Sequence, residues 1–327
     1  MSSGERRLMR LFRAYSRVAA ATRRTSAHEA QRVRPPLGRD FSVKGINHLV
    51  LAGRDLDTLR AAYQTLGFTL TPRGQHPFGT GNSVIQLHDS YLELLSITVP
   101  RDVPEHRTGQ FSFAAFNRDY LARHEGFSML AFDTPDARAD VVSWRAAGLQ
   151  TYEPFDFSRL ATMPNGDNVR VGFSLAFVTH PAAPWLGLFA CQHHLPEYYA
   201  QPRYQSHSNA AWTVRDVWIV GGVAQDLADF MCTITGADSV TEGTDLTVLQ
   251  SRTGAIVLAR PQAFETAFSV PPPHPEDGPH LAGFTVGCRT LGQVAALGLP
   301  MVGDRYVVQP SNDFSTAIGF MELPNQA

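Results

Sequence analysis

The chain has 327 residues, 43% of them hydrophobic and 18% charged, with a formal net charge of −2. That length suggests two domains or one large one, and the composition is that of an ordinary globular protein. No apolar run approaches the roughly 20 residues of a membrane span, so no integral membrane segment is expected.

The charge is uneven. Residues 1–40 hold ten Arg and three acidic residues, whereas the rest holds seventeen Arg, one Lys and 27 acidic residues. An acidic body argues against nucleic acid as the main partner. The basic start has no long apolar core, so a secretory signal is not expected. A mobile extension is the plain expectation for residues 1–40, with an organelle presequence or a surface-binding helix as alternatives. Cys191, Cys232 and Cys288 are far apart and form no CxxC. That pattern fits a cytoplasmic protein without a disulfide framework or a thiolate zinc site.

Past the extension, one pattern recurs. "GINHLVLAGRDLDTLRAAYQTLGFTL" reads as strand, turn, helix, strand. Leu56, Leu59, Tyr63 and Leu66 recur at helical spacing, Asp55 suits the N-cap and Gly67 the helix end. "SVIQLH" and "YLELLSI" follow as two strands about a polar turn, completing a βαβββ unit over about residues 45–97. The pattern returns at "GFSMLAFDTPDARADVVSWRAAGLQTY", where Thr134-Pro135 offers a cap and a first-turn proline. "VRVGFSLAFVTH" and "WLGLFACQ" supply its later strands. A third copy begins at "TVRDVWIVGGVAQDLADFMCTITGA" and a fourth at "HLAGFTVGCRTLGQVAALGL", with Thr290 as its expected cap.

Four such units predict an α+β protein of two paired-module domains, each with helices outside a curved mixed sheet that encloses a cleft. The expected domains are residues 41–195 and 196–327, the second structural. The stretch 98–126 is long for a connection inside a compact domain, which marks it as functional.

Within the first unit, "YLELLSI" sets a carboxylate, Glu93, in an apolar strand. A buried carboxylate without a partner costs several kcal/mol or takes up a proton. Strand alternation puts Tyr91, Glu93 and Leu95 on one face, with Leu92 and Leu94 on the other. The helix layer takes the leucines, leaving Glu93 in the cleft.

"INHLVLAGRDLD", "GQHPFGTGNSVIQL" and "YLELLSI" resemble the glyoxalase-like branch of the vicinal oxygen chelate superfamily. The resemblance is closest over residues 45–97 and looser through "CQHHLPE". It implies a divalent metal in the cleft, held by residues of the first and fourth strands of each unit. Here those positions carry His48 and Glu93 from unit one, with Ser128 and Gln192 from unit two. A one-residue slip in the last strand would choose Cys191 or His193 instead. Ser128 departs from the ligand set and is kept as a substrate contact. His48, Glu93 and Gln192 would suit Zn, Fe, Mn, Ni or Co and leave open positions for water or paired substrate oxygens.

Around that centre, His194 is the expected general base at the cleft rim, although a linker histidine is its plain alternative. His76 and Asn82, in the Gly-containing turn "HPFGTGNS", can hydrogen-bond a substrate at the cleft mouth. Phe113, Phe116 and Asn117 in the 98–126 insert supply an aromatic wall or lid.

The leading expectation is therefore a metal-dependent enzyme acting on a small oxygenated molecule, by lyase, isomerase or dioxygenase chemistry. The alternative is a metal-free small-molecule binding protein of the same fold, which the Phe-rich insert and Ser128 suit. An extradiol ring-cleaving enzyme fits less well. Its iron would be expected in the second pair of units, where the aligned residues are Asp216, Gly283 and Glu322. His207 and His280 lie off those positions.

Overall fold

In the computed structural model the described residues are 43–162, 168–198, 200–221, 225–242, 245–311 and 315–324. The expected basic extension, residues 1–40, lies outside them.

The first half begins with β1 (Ile46–Ala52), α1 (Leu56–Thr65), β2 (Gly74–Gln75), β3 (Thr80–Gln86) and β4 (Tyr91–Ile97). The insert contributes α2 (Phe113–Arg123). Unit two then runs β5 (Gly126–Asp133), α3 (Ala137–Ala146), β6 (Gln150–Thr151), β7 (Phe155–Thr162), β8 (Asn168–Thr179) and β9 (Gly187–His193). These strands form one mixed sheet ordered β2-β3-β4-β1-β5-β9-β8-β6, with β7 paired to β8 off that path.

The second half repeats the plan with β10 (Ala211–Val220), α4 (Gln225–Thr235), β11 (Ser239–Glu242), β12 (Leu246–Gln250) and β13 (Ala255–Ala259). It continues through α5 (Pro261–Phe268), β14 (His280–Cys288), α6 (Gly292–Ala295), β15 (Met301–Val302), β16 (Arg305–Val308) and β17 (Ala317–Glu322). Its sheet order is β11-β12-β13-β10-β14-β17-β16-β15. The fold is thus α+β, with repeated βαβββ-like modules in two sheets and the helices of the modules on their outer faces.

Local chemistry explains most boundaries. Asp55 caps α1 by accepting from the Thr58 N–H, and Gly67, at φ 88°, takes the left-handed turn after it. In unit two the cap is Asp136, not Thr134. Asp136 accepts from the Arg138 and Ala139 N–H groups, while the Thr134 hydroxyl accepts from the Asp136 N–H. A carboxylate serves two orphan donors and the helix dipole at once, so the helix starts two residues later than Thr134-Pro135 suggested. In unit four Leu291, not Thr290, is the cap residue, without a side-chain bond, and α6 lasts only four residues.

One apolar core unites the outer faces of both sheets, from Leu49, Leu92 and Trp144 to Val217, Leu258 and Phe320. Phe127 of β5 meets Phe284 of β14 edge to face at 5.9 Å. Arg252 pairs with Asp133 across the same seam. All described residues belong to one compact unit. The expected division into 41–195 and 196–327 stays a proposal: each sheet lies within one of these halves, but both share the core.

A second, smaller cluster fills the concave face of the first sheet. Val50, Met129, Phe173 and Phe189 of the strands pack there against Phe113 and Phe116 of α2. The insert therefore lies inside the cleft rather than over the helix layer.

Candidate functional site: a polar floor in an aromatic cleft

The concave face of the first sheet keeps a small opening of about 30 Å³. His48, Glu93, His76 and Asn82 form its polar floor, and phenylalanine rings form its walls.

Sheet register places the floor. His48 of β1 lies beside Tyr91 of β4, and Val50 beside Glu93. The His48 and Tyr91 rings stack at 4.3 Å and 11°. On β3, Val84 is paired with Glu93, so Asn82, two residues away, reaches it diagonally. The Asn82 amide donates to Glu93 Oε1 at 2.6 Å. No other hydrogen bond to that carboxyl is found among the described residues.

Two imidazoles flank the carboxyl beyond hydrogen-bond reach. His48 Nε2 is 3.6 Å from Oε2, and His76 Nε2 is 3.8 Å from Oε1. Each ring is fixed from behind. Asn47 Oδ1 accepts from His48 Nδ1 at 2.7 Å, and Thr80 Oγ1 meets His76 Nδ1 at 2.8 Å. Asn82 Nδ2 also approaches His76 Nε2 at 3.4 Å. With these partners, each ring carries its proton on Nδ1 and turns a lone pair on Nε2 toward the floor.

Burial dominates the electrostatics. It holds His48 well below the usual imidazole range, helped by His193 and His76, and lowers His76 to about 3. It pushes the Glu93 carboxyl up, against the opposing influence of Asn82 and Arg159. The Cys191 thiol, also on the cleft side, is raised by burial and by Glu93 and is not a ready nucleophile.

The walls are Phe78, Phe113, Phe157, Phe173 and Phe189. Phe157 stacks on Phe173 at 5.0 Å, and Phe78 meets Phe113 at 6.0 Å and Phe157 at 5.1 Å. Each such ring pair contributes about 0.5–1.5 kcal/mol beyond its buried area. Arg159 of β7 completes the lining.

Of the residues expected at the site, His48, Glu93, His76, Asn82 and Phe113 come together here. The others do not. Gln192 faces the helix layer: its amide donates to the Pro135 carbonyl at 2.7 Å and accepts from the Ala137 N–H at 3.2 Å. On β9 it is Phe189 and Cys191 that face the cleft, and in the register that sets Met129 at the place of His48, Phe189 stands at the place of Glu93. His194 lies on the same outer face as Gln192, with Nε2 2.9 Å from Ser174 Oγ, and is not at the cleft rim.

Ser128 is buried beneath α2, donating to Asn117 Oδ1 at 2.7 Å, and neither residue lines the opening. Irregular pairing of β1 with β5, between Val50 and Leu51, shifts the alternation there. Met129, opposite Val50, takes the cleft-facing place. Phe116 packs against Phe111 and Trp185.

Sequence reasoning missed Phe157, Arg159 and Phe173. For Phe157 and Arg159 the signal was present in "FDFSRL", where Phe155, Phe157 and Arg159 alternate on one strand face.

The expected metal ligand set does not fit this arrangement. Gln192 is tied up on the other side of the sheet, and Asn82 already occupies Glu93 Oε1. Among the described residues no group of three or more His, Cys, Asp or Glu is placed to hold a metal ion.

Comparison with known proteins agrees with the architecture. A protein from Staphylococcus aureus described as hypothetical superposes with a TM-score of 0.63 at 13% identity, covering 86% of this chain and all (100%) of its own. The Mn(II)-bound glyoxalase from Novosphingobium aromaticivorans superposes at 0.50 and 11% identity, covering 86% of this chain and 82% of its own. No curated protein matches. The sequence profile described as "Glyoxalase-like domain" matches residues 46–231, more than half the chain. With the paired modules and the concave site, that match places the chain in the glyoxalase-like domain family of the vicinal oxygen chelate superfamily.

Proposed function

We propose that the chain is a metal-independent small-molecule binding protein, with the first-sheet cleft as its binding site. The observation that carries this is the closed polar floor: Glu93 is held by Asn82, between two neutral imidazoles, inside phenylalanine walls. Such a site takes a small molecule with a flat apolar body and a polar head. The rings bury the body, a gain of roughly 25 cal/mol per Å² of apolar surface. The polar groups that line the cleft meet the head, so discrimination comes from polar groups that would otherwise stay unpaired.

The second reading is metal-dependent lyase, isomerase or oxygenase chemistry. Two observations favour it: the convergence of His48, His76 and Glu93, and the fold likeness to a glyoxalase that binds Mn(II). Residue orientation counts against it, since Gln192 is turned away.

The test is elemental analysis of protein purified without chelator and then equilibrated separately with Mn, Zn, Fe, Ni and Co. Calorimetric titration with 2-phenylethanol, a neutral single-ring probe, runs alongside. Substoichiometric metal together with saturable probe binding that His48→Ala weakens supports the binding protein. Stoichiometric metal lost in both His48→Ala and Glu93→Ala would establish the second reading instead.

A further inference from the structure

We infer that the cleft selects a small carboxylic acid with a flat apolar body, and that the Arg159 guanidinium holds its carboxylate. The inference rests on the binding site proposed above and names its ligand class.

The charges around the cleft are unequally satisfied. Glu93 has its hydrogen bond inside the floor, from Asn82. His48 and His76 are each fixed through Nδ1. Arg159 differs. It lines the same opening, half-buried on β7, and among the described residues its guanidinium has neither a hydrogen bond nor an ion pair. It stands near enough to Glu93 and His76 to act on both electrostatically, yet makes no ion pair with the carboxylate. Other arginines nearby are engaged: Arg138 with Asp156, and Arg170 with the Ser158 hydroxyl.

Strand geometry explains why it faces inward. Phe155, Phe157 and Arg159 alternate along β7, and both phenylalanines pack against the concave cluster. β7 runs antiparallel to β8, with Phe157 beside Phe173 and Arg159 beside Val171. Phe173 and Val171 belong to that same cluster. Arg159 therefore stands in line with the Phe157–Phe173 stack. A planar guanidinium beside stacked rings matches a ligand with a ring and an adjacent carboxylate: two parallel N–H donors meet two oxygens while the ring continues the stack. A neutral molecule would leave the guanidinium unpaired, and an ammonium would be repelled by it.

The test uses three single-ring probes of similar size: phenylacetate, 2-phenylethanol and 2-phenylethylamine. Each is titrated calorimetrically into wild type, Arg159→Gln and Arg159→Lys. Wild type is expected to bind phenylacetate roughly tenfold tighter than the alcohol, and the amine weakest. Arg159→Gln should lose the preference for the acid over the alcohol, and Arg159→Lys should retain part of it. The order acid, alcohol, amine in wild type is itself a check that needs no variant to fold. Equal binding of acid and alcohol by wild type, or a preference that survives in Arg159→Gln, overturns the inference and leaves the binding site standing. Failure of wild type to bind any of the three overturns both.

Discussion

The bond between Asn82 and Glu93 satisfies the buried carboxyl of the cleft floor. Asn82 and Glu93 are 4% and 6% exposed, and Asn82 supplies the carboxyl's hydrogen bond at 2.6 Å. Asn82→Ala leaves a buried acceptor unsatisfied, which costs about 1–3 kcal/mol. Glu93→Ala removes the acid but strands the Asn82 amide, whose other contact, His76 Nε2, is a long 3.4 Å. If the two side chains stabilise each other, the double variant loses less than the sum of the singles. The difference should be about 1–2 kcal/mol, the range for groups sharing one hydrogen bond. Urea unfolding followed by tryptophan fluorescence measures all four corners of the cycle. A coupling energy below about 0.5 kcal/mol would refute the idea that Asn82 satisfies Glu93. Running the cycle at two pH values adds a sign. Burial raises the Glu93 pKa, so folding favours the protonated form, and this group's penalty grows as pH rises above its unfolded value of 4.5. Glu93→Gln should therefore flatten the alkaline side of the stability profile.

Three further outcomes are expected. His76 titrates at about 3 when folded against 6.5 unfolded, so the unfolded chain takes up that proton first as pH falls. Stability from this group is intact above about pH 6.5 and drains between there and about pH 3, at up to roughly 1.4 kcal/mol per pH unit. Thermal unfolding of wild type beside His76→Gln across that window checks it, and identical slopes would count against a neutral buried His76. Phe113→Ala should cost about 3–5 kcal/mol and widen the cleft, because Phe113 is 5% exposed and meets Phe78, His76 and Phe189; an unfolding loss under about 1 kcal/mol would show that α2 is not seated in the sheet. Gln192→Ala should cost roughly 1 kcal/mol through the α3 entry it ties down, and leave 2-phenylethanol affinity unchanged. A tenfold drop in that affinity would return Gln192 to the site.

The repeat was legible because it is written in periodicity, which survives divergence. β4 runs from Tyr91 to Ile97 as the strand "YLELLSI" suggested. Alternation along it put Glu93 on the concave side, and the first strand put His48 beside it. What failed was register in unit two. Faces of a strand exchange with every residue, so an alignment one position out chose Ser128 for Met129, while on β9 the register sets Phe189, not Gln192, at the place of Glu93. The irregular pairing of β1 with β5 is invisible in a single sequence, and it is set by how the strands meet. The second loss was long-range. Nothing local to "FDFSRL" says that β7 folds beside β8 and brings Phe157 and Arg159 to residues more than sixty positions earlier. The expected role of the 98–126 insert as an aromatic wall fits Phe113 but not Phe116 or Asn117, since helical spacing turns only part of α2 toward the opening.

The two halves share one scaffold and treat its concave face in opposite ways. β10 pairs with β13 in the register that β1 adopts with β4, which sets Asp216 at the place of His48 and Val257 at the place of Glu93. Each half also inserts a helix after its fourth strand, α2 in one and α5 in the other. In the second half that helix brings Phe264 and Phe268 against Trp218 at 6.1 and 5.4 Å. Asp216 spends its carboxylate on the Trp218 indole N–H at 2.7 Å. Arg305, 2% exposed, lies over Phe268 and donates to the Thr285 hydroxyl. The place of Glu93 is here apolar, and the place of His48 holds a carboxylate engaged with a neighbour. A cleft with no ligand to bind is a cavity, and cavities cost stability in proportion to their volume. Filling the second one with Trp218, Phe264 and Phe268 removes that cost. The first cleft stays partly empty against the same pressure, which is the physical reason to look for its function there and not in its twin.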